Sequence, residues 1–325
     1  MNIRAIPKKM VPKRLDYERF GSLYALILLF IISSIASPYF LQLQNILNIL
    51  RQVSYTGIIA LGMTFVIISG GIDLSVGSMT ALVGGIVILT LNKFGGEIGE
   101  IGAIVVAIVV GMLLGLVGGA ANGLIITVGK VAPFVATLGT MAIFRSLTLY
   151  ISNAGEFRSA SSMYPELGMG DLIGIPVPVW IMLGLAVVFH IVLTRTRYGR
   201  YVCAVGSNER VARYAAIKTE VIRFTSYLVV GLTVAVSAVL LSSRLNSISS
   251  TNAGLNFELD AIAAVIIGGT PLTGGSGTIP GTVFGAIILG IINNMLNMLG
   301  VSPYLQGTVK GLVIIGAVLI QGKRR

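Results

Sequence analysis

The chain has 325 residues, of which 55% are apolar and 11% charged. Soluble domains carry about 25% charged residues, so a soluble enzyme, a disordered chain and a fibre are excluded. The net charge of +11 has no soluble surface on which to gather into a nucleic-acid patch. No nucleic acid is expected, and the charge is read by its position along the chain.

A spanning helix needs about 20 apolar residues, which fits about ten spans into this length. In chain order the apolar runs fall at 22–37, 53–69, 75–91, 101–128, 134–151, 178–194, 222–242, 258–268, 279–299 and 304–320. The run at 258–268 is too short to cross alone, and the run at 101–128 is long enough to tilt or bend. The predicted fold class is all-α: a polytopic membrane protein of about ten transmembrane helices in a lipid bilayer, with a possible two-repeat core. Lys8, Lys9, Lys13, Arg14 and Arg19 precede the first run. That basic head is longer than a cleaved leader has, so the first run reads as an uncleaved span.

An even number of spans puts both ends on one side. Cytoplasmic loops carry an excess of Lys and Arg. With the N-terminus inside, 17 of the 23 Lys and Arg fall in the first 21 residues, at Lys130, in residues 195–223 and in the tail. The predicted organisation is a cytoplasmic segment 1–21, a transmembrane domain 22–321 with a cytoplasmic loop 195–221, and a cytoplasmic tail 322–325. The long external loop, residues 152–176, and the internal loop 195–221 are each candidate docking surfaces.

A short internal echo supports the two-repeat core. Gly70-Gly71-Ile72-Asp73-Leu74-Ser75-Val76-Gly77-Ser78 returns as Gly268-Gly269-Thr270-Pro271-Leu272-Thr273-Gly274-Gly275-Ser276, identical at five of nine positions. Asn122 in the first half roughly answers Asn293 and Asn294 in the second. Consecutive glycines break helices, and broken segments at matching places in two halves point to a transport pathway. Gly70, Gly71, Asp73, Ser75, Asn122, Gly268, Gly269, Thr273, Asn293 and Asn294 are the pathway candidates. Tight turns between packed helices, with Asp73 or Ser75 capping the next helix, are the other reading. Asp73, Arg145, Glu258, Asp260 and Lys310 lie in or near spans, as structural pairs or as coupling charges of a secondary transporter.

Catalytic and metal chemistry finds no constellation. One cysteine, Cys203, and one histidine, His190, exclude an internal disulfide and Cys-rich or multi-His metal sites. Residues 123–131 imitate a phosphate loop but have five residues between the glycines and Val131 where Ser or Thr would hold magnesium. No cofactor is expected on this chain, and it is not read as an enzyme. A gradient or another subunit must supply the energy.

The internal loop has a handle. Residues 208–217 have helical spacing, with Val211, Ala212, Ala215 and Ala216 gathered on one side. Asn208 is a good N-cap and Glu209 suits the helix dipole. Such a helix fits a groove on another protein, or lies on the headgroups.

The stretches at 45–50, 60–78, 196–201, 258–265 and 268–281 carry a resemblance over nearly the whole chain. The chain resembles ATP-binding-cassette importer permeases of the ribose and monosaccharide type. Gly70-Gly71-Ile72-Asp73-Leu74-Ser75-Val76-Gly77 is a specific marker of this family, and residues 293–304 resemble ribose permeases in particular. The resemblance implies a multi-pass permease of the bacterial inner membrane, paired with a second permease copy or a related chain. It also implies an extracytoplasmic sugar-binding protein and a cytoplasmic ATPase with two fused nucleotide-binding domains, which hydrolyses the ATP. Asn208, Glu209, Val211, Ala212, Ala215, Ala216 and Ile217 then form the ATPase-coupling helix. The family pattern there is close to Glu-x-Ala-Ala-x-x-x-Gly-Ile. This chain keeps Glu209, Ala212 and Ile217 but has Val211 for Ala and Ala216 for Gly. A secondary transporter or channel for a small polar solute is the alternative.

Overall fold

The computed structural model describes residues 17–322. Residues 1–16 of the predicted N-terminal segment and 323–325 of the predicted tail lie outside the described residues. Helices α1 (Tyr17–Ala36) and α2 (Leu43–Ile68) lead into α3 (Val76–Thr127) and α4 (Pro133–Ser152). The segment after α4 holds β1 (Glu156–Arg158), α5 (Glu166–Met169), β2 (Asp171–Leu172) and β3 (Ile175–Pro176). Next come α6 (Val177–Arg195), α7 (Arg197–Ser207), α8 (Glu209–Tyr214) and α9 (Thr219–Leu245). The chain closes with β4 (Ser247–Ser249), α10 (Phe257–Ile267), α11 (Ile279–Met298) and α12 (Pro303–Gly322).

Six of these helices, α2, α3, α4, α6, α9 and α11, are long and apolar enough to cross a membrane. The fold is mostly helical and multi-pass. It is not purely α, however: β1 pairs with β4 and β2 with β3, both antiparallel. These short ribbons arise where the chain must satisfy its backbone outside a helix.

Helix α3 is two arms. Gly99, at φ 77° and ψ 163°, turns the chain back, so the predicted runs 75–91 and 101–128 lie side by side. Met79 fills the space over Gly118, and Val87 the space over Gly111. The returning arm sorts its residues by size. Ala103, Ala107, Gly111, Gly115, Gly119 and Gly123 are buried, and Gly115 and Gly119 meet the α9 backbone at Gly231 and Tyr227. Ile101, Val105, Val109, Leu113, Val117 and Leu124 are exposed along the other side. Between apolar helices in lipid, close backbone approach at small residues gives the packing. The bulky stripe is left for the surroundings.

Helix α10 has 11 residues, about half a span. Before it, residues 250–256 are non-helical, with Ser250 and Gly254 buried and Thr251, Asn252 and Leu255 exposed. Arg145, inside the run predicted at 134–151, caps that chain with a fork: Nη1 donates to the Ser250 carbonyl at 2.8 Å and Nη2 to Ala253 at 2.9 Å. The two bonds give partners to carbonyls that no helix satisfies. Lys310 of α12 pairs with Asp260 of α10 at 3.0 Å. Of the two readings left open for these charges, Lys310 with Asp260 is a structural pair, and Arg145 is a backbone clamp.

Candidate functional site

The first glycine break is closed by a buried polar knot. The Asp73 carboxylate accepts from the Ser75 backbone N–H at 2.9 Å and from the Ser75 hydroxyl at 2.7 Å. Asn122 of α3 donates to Asp73 at 3.1 Å and to Ser75 at 2.8 Å. Thr140 of α4 donates to Asn122 at 2.7 Å. All four side chains are buried. Asp73 therefore caps the entry to α3, and Ser75 does not cap through its own side chain. Asp73, Ser75 and Asn122 turn inward to one another, because a buried polar group needs its partners close. Asn122→Leu leaves Asp73, Ser75 and Thr140 short of partners together. It is expected to cost roughly 3 kcal/mol or more, read as the thermal midpoint of detergent-solubilised protein; an unchanged midpoint would refute the knot.

The two glycine segments share one geometry, shifted by a residue from their sequence alignment. At the end of α2, Gly70 N–H reaches Ile67 O and Gly71 N–H reaches Val66 O. At the end of α10, Gly269 N–H reaches Ile266 O and Thr270 N–H reaches Val265 O. Both are Schellman closures, with Gly70 at φ 82° and Gly269 at φ 94°. Gly70 therefore matches Gly269, not Gly268, and Gly71 matches Thr270. Thr273 is exposed in the loop between α10 and α11. Gly268 does different work: a Cβ there would stand 2.5 Å from the Gly281 carbonyl.

The asparagines of α11 do not join the knot. Asn294 and Asn45 of α2 exchange amide hydrogen bonds at 2.8 and 3.2 Å. The Asn293 side-chain oxygen is buried with no hydrogen-bond partner among the described residues. The correspondence of Asn122 with Asn293 and Asn294 is not reflected in a shared contact.

The loop at 195–221 is largely helical. Thr196 caps α7 by accepting from Gly199 N–H. Val202 and Val205 are buried, whereas Arg197 and Arg200 are exposed, so α7 is an amphipathic helix against α2, α6 and α9. Tyr198 stacks on Phe65 of α2 at 6.0 Å and meets Ser226 of α9 at 3.2 Å.

Helix α8 is shorter than the predicted 208–217. Asn208 caps it, accepting from Val211 N–H at 3.1 Å. It closes with Ala216 N–H on Arg213 O and Ile217 N–H on Ala212 O, again a Schellman end. Ala216 takes the left-handed position, at φ 59°, where the related pattern has glycine. Ala216→Gly is expected to stabilise the fold by about 1 kcal/mol, seen as a higher thermal midpoint. A fall would show that the backbone strain lies elsewhere.

The face that α8 offers also differs from the predicted one. Ala212 is 3% exposed and belongs to the core. Val211 at 60% and Tyr214 at 90% face outward, with Ala215 and Ala216 beside them. Sequence reasoning missed Tyr214, although its place three residues after Val211 puts both on one helical side.

Charges brace α8 against the bundle. Glu209 pairs with Arg213 and with Arg223 of α9, each at 2.8 Å. Arg213 also reaches Glu220 at 2.7 Å, and Lys130 reaches Glu220 at 3.5 Å. Burial pushes the Glu209 carboxyl up, but Arg213 and Arg223 outweigh it and hold it below its ordinary range. A single exposed pair is worth little; here two acids share three bases across α8, α9 and the α3–α4 link.

Immediately before α8, three elements meet. Gly275 N–H donates to Ile68 O, the end of α2, at 2.8 Å. The Ser207 hydroxyl donates to Gly275 O at 3.3 Å. Any Cβ on Gly206 would run into Ile68 O and the Gly275 nitrogen. The end of α7 is thus packed between the first glycine break and the second. The sequence signal was only Gly206 beside Ser207 and Asn208.

Of residues 123–131, which imitate a phosphate loop in outline, 123–127 end helix α3, and Gly123 packs on Phe224.

Residues 45–318 match the family described as branched-chain amino acid transport system / permease component. The chain is 44% identical to the ribose import permease protein RbsC of Bacillus subtilis (strain 168), over 94% of each chain. It is 41% identical to RbsC of Escherichia coli (strain K12), over 94% of each. It is 37% identical to the D-allose transport system permease protein AlsC of the same strain, over 97% of this chain and 95% of the relative. No solved structure matches.

Proposed function

Because the chain belongs to the branched-chain amino acid transport system / permease component family, we propose that it is the membrane permease of an ATP-driven, binding-protein-dependent sugar importer, with ribose as its cargo. The observation that carries the cargo is the 44% identity to a ribose import permease over 94% of both chains. The chain is a transport component and not an enzyme. It works with an ATPase and a sugar-binding protein and resides, multi-pass, in the inner membrane.

Ten segments cross or enter the bilayer: the two arms of α3, the half-helix α10, and α1, α2, α4, α6, α9, α11 and α12. Both termini are cytoplasmic, in line with the basic residues around α7 and α8. Two copies, or this chain and a related one, enclose the path. The chain binds no cofactor, and a partner with two fused nucleotide-binding domains hydrolyses the ATP. That partner seats α8 through Val211 and Tyr214, with Asn208, Glu209, Ala212, Ala215, Ala216 and Ile217 shaping the helix. Movement of α8 passes through Gly206 and Ser207 to the ends of α2 and the 274–275 turn. The glycine breaks are the moving parts of the pathway, and the Asp73–Asn122 knot is the rigid mount beside them.

Uptake by the reconstituted complex, measured with labelled ribose, allose and arabinose, tests the cargo. Ribose is expected to be taken up fastest. Uptake of another sugar with none of ribose would overturn that assignment and leave the permease role standing.

A further inference from the structure

The hairpin between α5 and α6 is built against two preferences at once. Its register, Asp171 with Pro176 and Leu172 with Ile175, leaves a two-residue turn of Ile173 and Gly174. Both have positive φ, 57° and 73°. Such a turn favours Asn-Gly, and a β-branched residue at positive φ is an outlier. Ile173 is also 86% exposed, and its neighbour Leu172 is exposed too. An isoleucine that suits neither the backbone nor water points to a third environment.

The surroundings identify it. The Trp180 indole N–H donates to the Leu172 carbonyl at 3.1 Å, which lays the hairpin beside the start of α6. Trp180, Leu183, Val187 and Ile191 are all exposed and follow one another at helical spacing. They form one outward apolar stripe down a spanning helix. The hairpin continues that stripe at its outer end, since β3 passes directly into α6. Tryptophan at that level is the usual residue of the membrane–water interface. The base of the hairpin is fixed: Arg51 of α2 holds Asp171 at 3.0 Å and reaches the Met169 carbonyl. The tip itself, Leu172 to Ile175, carries no charge. The other charges of the segment between α4 and α6 lie away from the tip, in Glu156 with Arg158, in Glu166 of α5 and in Asp171 at the hairpin's base, while Ser161 and Ser162 bind Glu100 of α3. Those charges suit a soluble partner; the uncharged tip does not.

We propose that the β2–β3 hairpin is an interfacial lipid anchor, with Leu172 and Ile173 seated among the outer-leaflet headgroups beside Trp180. It fixes the height of the α5–α6 segment, and with it the outer end of α2, relative to the bilayer.

The test places a nitroxide label at residue 173 by Ile173→Cys in a Cys203→Ser background, Cys203 being the single native cysteine. The full chain is reconstituted into vesicles of phosphatidylethanolamine and phosphatidylglycerol. A label introduced by Ser162→Cys in the same background serves as the water-exposed reference. The label at 173 is expected to collide with oxygen more often than with a water-soluble nickel chelate, at a depth of about 5–10 Å. The reference label is expected to show the reverse. A label at 173 as open to the nickel chelate as the reference would overturn the anchor. So would protection of the 173 label only on adding sugar-loaded binding protein, which would make the tip a protein-docking site. Ile173→Asn in the unlabelled chain gives a second reading. It suits the turn better, yet it is expected to raise iodide quenching of Trp180, the only tryptophan; unchanged quenching would again contradict the anchor.

Discussion

Val211→Asp with Tyr214→Asp is expected to strip the ATPase from the permease and bring sugar uptake to background. Membrane insertion and thermal stability should stay near normal. Both side chains are exposed, so the fold loses little when they change. A tyrosine anchoring an interface is worth about 2 kcal/mol or more, and each 1.4 kcal/mol is a factor of ~10 in affinity. Two such losses, with carboxylates placed in the partner's groove, amount to roughly 1000-fold. Co-purification of the ATPase with tagged permease checks this, and wild-type recovery would remove α8 from the docking role. Ala212→Arg, by contrast, is expected to fail at an earlier step. Ala212 is buried, so an arginine there dislodges α8 from the bundle and lowers thermal stability before docking is tested.

Gly206→Val is expected to abolish transport by a different route. Its side chain would have to occupy the place of the Ile68 carbonyl and the Gly275 nitrogen. Neither is the flexible end of a side chain, so α7 or the 274–275 turn must move away. Overpacking of this kind costs about 1–3 kcal/mol, and the Gly275 to Ile68 hydrogen bond is lost with it. Helix α8 and its face remain, so the ATPase is expected to stay bound and to hydrolyse ATP without uptake. Normal uptake by Gly206→Val would show that the junction carries no movement. Gly269 contrasts with it. The space around it is open, so substitution there acts through its φ of 94° and not through overpacking, and is expected to be milder.

What the sequence revealed and what it hid have physical causes. The spanning helices were readable because lipid imposes one requirement, a run of apolar residues about 20 long. The ends of α8 were readable in part, because Asn208 and Glu209 are local capping signals. Its outward face was misjudged at Ala212, since four small apolar residues look alike until the bundle buries one of them. The likeness of the two glycine breaks was visible, but its register was not. A Schellman end is defined by where the chain turns left-handed, and the second segment reaches that point one residue later. The Gly206–Ile68–Gly275 junction joins residues far apart in the chain through backbone atoms, which leave almost no trace in side-chain identity. The polar knot was glimpsed residue by residue, yet only the antiparallel arms of α3 bring Asn122 back to Asp73.

This chain is expected to move sugar only as the passive membrane part of an ATP-driven machine. The most direct measurement is ribose accumulation in vesicles holding the permease, with ATPase and binding protein added or withheld and with a proton gradient imposed separately. Accumulation against a gradient is expected only with ATP, the ATPase and the sugar-loaded binding protein together. Uphill uptake by the permease alone, driven by the proton gradient, would contradict it.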